Sequence, residues 1–119
     1  MIVAGIGCRR GAAAVDIEAA IRAADLNAIA TSTAKETEAG IATAASTFGV
    51  GIMPIAEAAL KAAGTRVATR SDRVLALTGV PSLAEAAALA AAGPSSRLIA
   101  GRLVVGAATC ALASSGAAQ

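Results

Sequence analysis

Apolar and polar positions along this chain follow two different periods, and the switches between them mark out its elements. Residues 2–6 form a short branched apolar run, the length and character of a buried strand. A glycine cluster follows, Gly5, Gly7 and Gly11, and the spacing then becomes helical. Ala13, Ile17, Ala20, Ile21 and Ala24 share one face while Asp16, Glu18 and Arg22 share the other, which predicts a helix over residues 12–24 packed on a sheet. Asn27 breaks the pattern and residues 28–32 return to strand length. Thr33 with Glu36 then has the spacing of a capping box ahead of Ile41, Ala45 and Phe48, and Gly49 reads as the C-cap.

Residues 50–53 predict a third short strand, and Pro54 opens a helix through Ile55, Ala58, Ala59 and Ala62 that stops at Gly64. The stretch 65–73 is polar and basic. Ser71 stands where it caps a short helical turn carrying Val74 and Leu77, ended by Thr78 and Gly79. Ser82 and Glu85 make a second capping box, with Leu83, Ala86, Ala87 and Ala90 as the apolar face of a helix reaching Gly93. Residues 98–100 and 107–113 read as closing strands around 101–106, and 114–119 as a frayed tail. The alternation predicts an α/β fold: a three-layer α/β/α single domain, residues 1–119, with a mixed, mainly parallel sheet of about five strands, the first three parallel.

Composition removes several function classes. Hydrophobic residues make up 56% of the chain, yet alanine carries most of that share and the aromatic fraction is 1%. The uncharged stretch 39–56 holds Thr43, Ser46, Thr47, Gly49, Gly51 and Pro54, so it reads as two elements joined by a turn and not as a membrane span. No basic segment precedes Ile2, so no secretory signal is expected, and the chain is expected in the cytoplasm. Two cysteines, Cys8 and Cys110, and no histidine give neither a zinc site nor a disulfide framework, and exclude Cys/His or Ser/His catalysis. No metal and no cofactor are expected. A net charge of +2 without a basic run or stacking aromatics excludes nucleic acid.

Chemistry concentrates in the opening motif, Gly5-Ile6-Gly7-Cys8-Arg9-Arg10-Gly11. Read as strand, glycine turn and helix, it presents backbone N–H groups at a helix N-terminus with two arginines in the same loop, which suits an acidic small molecule at the carboxyl end of the first strand. A helix N-terminus would lower the pKa of Cys8, whereas a small buried thiol is the plainer reading. The same glycines admit a nicotinamide-dinucleotide oxidoreductase as an alternative, although Gly-x-Gly-x-x-x-Gly departs from the fingerprint of that class.

The opening motif also resembles that of the CobE family and of the homologous C-terminal domain of CbiG, both cobalamin biosynthesis proteins. The likeness runs the length of the chain. Thr31 followed by Lys35, Glu38 and Gly40 is similar to the family's Lys-x-x-Glu-x-Gly segment, and Ser71 with Val74 to its Ser-x-x-Val step. Gly79 through Leu89 resembles its Gly-x-x-Ser-Val-Ala-Glu-Ala helix, with Leu83 where valine is usual, and Ala108-Thr109-Cys110-Ala111 its closing Thr-x-Ala strand.

The resemblance implies a role in making the corrin ring: binding of precorrin or corrinoid intermediates as a carrier or accessory protein, with other enzymes of the corrin pathway as further partners. Longer CbiG-type proteins imply an alternative, hydrolysis of the lactone ring of a cobalt-precorrin with release of a two-carbon fragment. The candidate substrate-binding residues are Gly5, Gly7, Cys8, Arg9, Arg10, Gly11, Thr31, Lys35, Glu38, Ser82, Glu85 and Thr109. Precorrins are macrocycles fringed with carboxylates, so Arg97 and Arg102 join them as candidate cations if their strand ends gather on one edge. Each has a plainer reading: Ser82 and Glu85 as a cap, Lys35 and Glu38 as a surface pair, and Thr109 as a residue that suits a strand.

Overall fold

The computed structural model describes residues 1–21, 25–78 and 80–115. Arg22 and Ala24 of the expected first helix, Gly79 and residues 116–119 of the expected tail lie outside them. The strands are β1 (Ile2–Cys8), β2 (Ala28–Ser32), β3 (Gly51–Ile55), β4 (Arg97–Val105) and β5 (Ala108–Ser114). Between them run the helices α1 (Ala14–Ala20), α2 (Ala39–Phe48), α3 (Glu57–Ala63), α4 (Asp72–Thr78) and α5 (Leu83–Ala92).

The sheet order is β3-β2-β1-β5-β4. β1 pairs in parallel with β2, and β2 with β3, while β5 runs antiparallel to both β1 and β4. All the strands except β5 therefore point the same way, in a mixed sheet whose first three strands are parallel. Alternate residues of β1 face opposite layers. Val3 joins the apolar cluster beneath α3 and α5, whereas Ala4 and Ile6 join the one beneath α1 and α2.

α5 lies deepest of the helices. Residues Ala84 through Leu89 are all buried, so the one-sided apolar face expected from its sequence becomes burial nearly all round, with Leu83 and Ala90 half-exposed. Alanine allows this at the point of contact, because Ala84 and Ala88 settle on β1 where Gly5 offers no side chain. A β-carbon on Gly5 would overlap the Ala84 carbonyl and stand 2.6 Å from the Ala88 amide nitrogen. Both ends of α5 are closed. Ser82 Oγ accepts the Glu85 amide at 3.5 Å, and Ser96 Oγ donates to the Leu89 carbonyl at 2.9 Å. Arg66 donates to the Ser96 carbonyl at 3.0 Å and to the Gly93 carbonyl at 3.4 Å, which ties the turn after the helix to the segment that follows α3.

Several elements differ from the sequence reading. Gly5 and Gly7 do not turn; they stay in the ladder, and β1 runs on to Cys8. α1 starts at Ala14, with Ala12 buried and Ala13 exposed. Pro54 opens no helix but sits in β3, opposite Thr31, a place a proline tolerates because β3 is an edge strand. Thr33 and Glu36 form no capping box: residues Thr33–Lys35 make a 3-10 turn, and α2 starts after Glu38 without a side-chain cap. Residues 101–105 belong to β4, and a two-residue turn with Gly106 at φ 56° joins it to β5. The expected αL cap at Gly49 is present, at φ 69°.

The approach of α5 to β1 makes a sharp prediction about small residues. Gly5→Ala should cost about 3 kcal/mol, because the obstacle is helix backbone and cannot rotate away. Gly51→Ala, where an added β-carbon meets nothing within 4 Å, should be neutral or slightly stabilising. Urea unfolding of the two variants beside the parent chain checks both.

Candidate functional site

A cavity of about 500 Å³ opens at the carboxyl end of β1. From β1 the chain goes to β2 and β3 on one side and later returns as β4 and β5 on the other, so the cavity lies at the switch point of the sheet, where open α/β sheets characteristically hold ligands. Its floor is one rung of the sheet. Gly7 pairs with Thr109 and Thr109 with Val104, and all three line the space. Thr109 Oγ1 donates to the Gly7 carbonyl at 3.1 Å and occupies the place a side chain at Gly7 would take, 2.8 Å from its β-carbon. Gly7 is thus glycine for space. Its φ is not positive; in the opening loop Gly11 has that conformation, at 75°.

The walls bring cations and apolar groups together. Cys8 and Arg9 enter from the end of β1, Lys35 from the turn after β2, Arg102 from β4, and Gly106, Ala107 and Ala108 from the β4–β5 turn. Ser71, Val74 and Leu83 close the far side from α4 and α5. Of the residues proposed from sequence, Gly7, Cys8, Arg9, Lys35 and Thr109 meet here. Arg102, named as a candidate cation, joins them, whereas Arg97 pairs with Ser114 at the other end of β4. Ser71, Val74, Leu83 and Val104 were not proposed as site residues; the Ser-x-x-Val resemblance touched the first two without assigning them a role.

The remaining candidates do other work. Gly5 lies under α5, and Thr31 is buried with its hydroxyl donating to the Ile6 carbonyl at 2.8 Å. Arg10 and Gly11 are exposed and outside the lining. Three amides in and just after the glycine motif are engaged within the protein. Arg9 N–H donates to the Ala107 carbonyl at 3.0 Å, Ala12 N–H to the Arg9 carbonyl at 3.1 Å, and Gly11 N–H to Glu38 Oε1 at 2.9 Å. Glu38 therefore braces the loop, and the positive character of the cavity rests on side chains.

Cys8 follows the plainer of its two readings, a half-buried thiol, and not that of an activated one. Burial pushes its thiol pKa up, the nearby Lys35 ammonium opposes this, and the Glu38 carboxylate adds to it, with a net rise. The thiol is therefore less ionised than a free cysteine at neutral pH, the reverse of an activated nucleophile.

Glu85 is wholly buried and is half of the capping box that sequence suggests: Ser82 caps, but the glutamate side chain does not return. Oε1 accepts the amides of Ala68 at 2.9 Å and Thr69 at 2.7 Å. Oε2 accepts the Thr69 hydroxyl at 2.7 Å and the Arg102 amide at 2.9 Å. Burial alone would raise the carboxyl pKa; these hydrogen bonds to Thr69, Arg102 and Ala68 outweigh it, and the value is lowered.

Fold and cavity together define an open-sheet α/β protein with its crevice at the topological switch point. The sequence profile described as "Cobalamin synthesis G C-terminus" matches residues 2–113, and the chain belongs to that family of cobalamin biosynthesis proteins. It is 35% identical over 121 residues to "Protein CobE" of Sinorhizobium sp, covering 94% of this chain and 79% of the relative. Its fold is similar to the crystal structure of CobE, described as a protein from the cobalamin (vitamin B12) biosynthetic pathway, with a TM-score of 0.83, 32% identity, and coverage of 95% and 89% of the two chains. It is also similar to the cobalamin biosynthesis protein chiG from Agrobacterium tumefaciens str. C58, with a TM-score of 0.75, 45% identity, and coverage of 96% and 98%.

The Glu85 contacts set a pH dependence. A carboxylate with a lower pKa in the folded than in the unfolded chain lends stability that is fully present above the ordinary glutamate value of 4.5 and lost as pH falls through the folded value. Glu85→Gln should cost about 2 to 4 kcal/mol at pH 7, since buried N–H groups lose a charged acceptor. The gap between parent and variant in urea midpoint should narrow below about pH 4. A gap constant from pH 7 to pH 3 would assign the stability of this region to other groups.

Proposed function

We propose that this chain binds an acidic corrinoid intermediate of cobalamin biosynthesis in the switch-point cavity and serves as a carrier or accessory protein of the pathway. The observation that carries the reading is the convergence of Arg9, Lys35 and Arg102, from three separate parts of the chain, on a cavity also lined by Val74, Leu83 and Val104. Cations opposite an apolar wall match a flat macrocycle with a carboxylate fringe, and guanidinium groups suit carboxylates through paired donors. A cavity of about 500 Å³ falls in the range of small-molecule sites and takes one edge of such a ring. Membership of the family and the pathway named for the CobE structure support the same substrate class.

Hydrolysis of a precorrin lactone, the alternative, needs a group to activate water or attack the ring. Among the described residues lining the cavity, no carboxylate is present, Cys8 has its pKa raised, and the hydroxyls of Ser71 and Thr109 are held in hydrogen bonds to the Val74 amide and the Gly7 carbonyl. These facts favour binding over turnover. The dinucleotide reading loses its motif, because Gly5 and Gly7 lie within β1 and make room for α5 and Thr109 instead of turning round a pyrophosphate.

Isothermal titration with hydrogenobyrinic acid tests the proposal. Replacing both Arg9 and Arg102 with alanine should weaken binding by about 2 to 4 kcal/mol, if each makes a charge-assisted contact partly screened by solvent. Arg10→Ala, outside the cavity, should change it little. Affinity should fall with added salt, whereas a pocket held by apolar packing alone would hold level or tighten. Absence of heat with the parent chain would sink the reading.

A further inference from the structure

Glu85 lines no part of the cavity, yet every group its carboxylate holds belongs to a segment that forms one of the cavity walls. Ala68 and Thr69 lead into Ser71, whose hydroxyl accepts the Val74 amide at 3.3 Å at the start of α4. Arg102 is on the opposite wall. Its amide turns to Glu85 where the β4–β5 pairing slips, between Ala100 opposite Leu112 and Leu103 opposite Cys110. Period two would keep Arg102 and Val104 on the side of Ala100, which faces α1 and α2. The slip instead sets Val104 opposite Thr109 and both Val104 and Arg102 at the cavity.

We propose that Glu85 is a positioning residue of the cavity, which fixes the Arg102 backbone at the β4 bulge and thereby sets the Arg102 guanidinium where an anionic group of the ligand is received. The proposal rests on the ligand reading above for the identity of that group. Glu85 touches no ligand and acts through Arg102. A glutamine in its place keeps one acceptor oxygen, which the two amides of Ala68 and Thr69 hold. Its NH₂ then faces the Arg102 amide, donor against donor, while the Thr69 hydroxyl can rotate to accept. The β4 wall is thus released and the other wall kept.

The test is a double-mutant cycle on the full chain, with amide exchange by NMR and titration with hydrogenobyrinic acid as its readouts. In Glu85→Gln, once the change common to the core amides through global stability is divided out, the Arg102 amide should exchange about tenfold faster or more, and the Ala68 amide should stay within about twofold of the parent. Glu85→Gln should weaken binding about tenfold when Arg102 is present, and less than about twofold in the Arg102→Ala background. Equal weakening in both backgrounds, or an unchanged Arg102 amide, would overturn the proposal, since a merely structural glutamate acts alike in both. If Glu85→Gln does not fold, Glu85→Asp, which keeps the charge but is too short to reach both walls, enters the same cycle, with the binding loss again expected only when Arg102 is present. A parent chain that binds no hydrogenobyrinic acid but shows the exchange pattern supports the positioning of Arg102 and overturns the ligand reading. Tight binding that Glu85→Gln leaves untouched does the opposite.

Discussion

Everything around the cavity depends on the distance between one helix and one strand. α5 can lie directly on β1 because Gly5 offers no side chain and the helix presents Ala84 and Ala88 to it. Dispersion and the exclusion of water favour such close contact, and the helix sinks until it is buried on nearly every side. A polar residue in its first turn is then inside the protein whether or not it is acidic. Glu85 is there, and a buried carboxylate without donors would be very costly. Hydrogen bonds from Ala68, Thr69 and Arg102 remove that cost, and in supplying them the chain bends two otherwise unrelated segments toward one point. The position of the cavity walls follows from the depth of α5.

Much of this fold was legible in the sequence, and the parts that were not share a physical cause. The break at Asn27 with the strand-length run after it locates β2 to the residue, and helical spacing carries α2 to its Gly49 cap, because those signals are local. Pro54 misleads because proline suits both the first turn of a helix and an edge strand, and only the sheet order says which strand is at the edge. Gly5 and Gly7 mislead in the same way: glycine marks a turn or a close approach, and the partner that approaches Gly5 lies about eighty residues on, at Ala84 and Ala88. Residues 101–105 look like a loop, since Gly101 and Arg102 interrupt the alternation; the interruption is the bulge itself.

The site was legible in its cations and hidden in its framework. Arg9, Lys35 and Arg102 stand out by charge alone, and Gly7 and Thr109 by motif. Glu85 has capping spacing, and nothing in its neighbours along the chain discloses that its acceptors serve Thr69 and Arg102, sixteen and seventeen residues away. Leu83 and Val104 look like any core residue until the rung of Gly7, Thr109 and Val104 places them at an open space.

Both margins of the sheet carry a device that stops it from growing. β3 contains Pro54, which lacks the amide hydrogen a further strand would need, and β4 is broken twice in register, at Leu98/Ala100 and Ala100/Leu103. The apolar residues exposed on β4, Ile99 at 46% and Val104 at 54%, therefore sit on an uneven border that cannot template a straight neighbouring strand. With alanine so abundant and charge so sparse, a smooth edge would invite chains to stack into ribbons. The irregularity that carries Arg102 to the cavity is thus also a guard on solubility, and a change that straightened β4 would expose the protein to self-association as well as move its arginine.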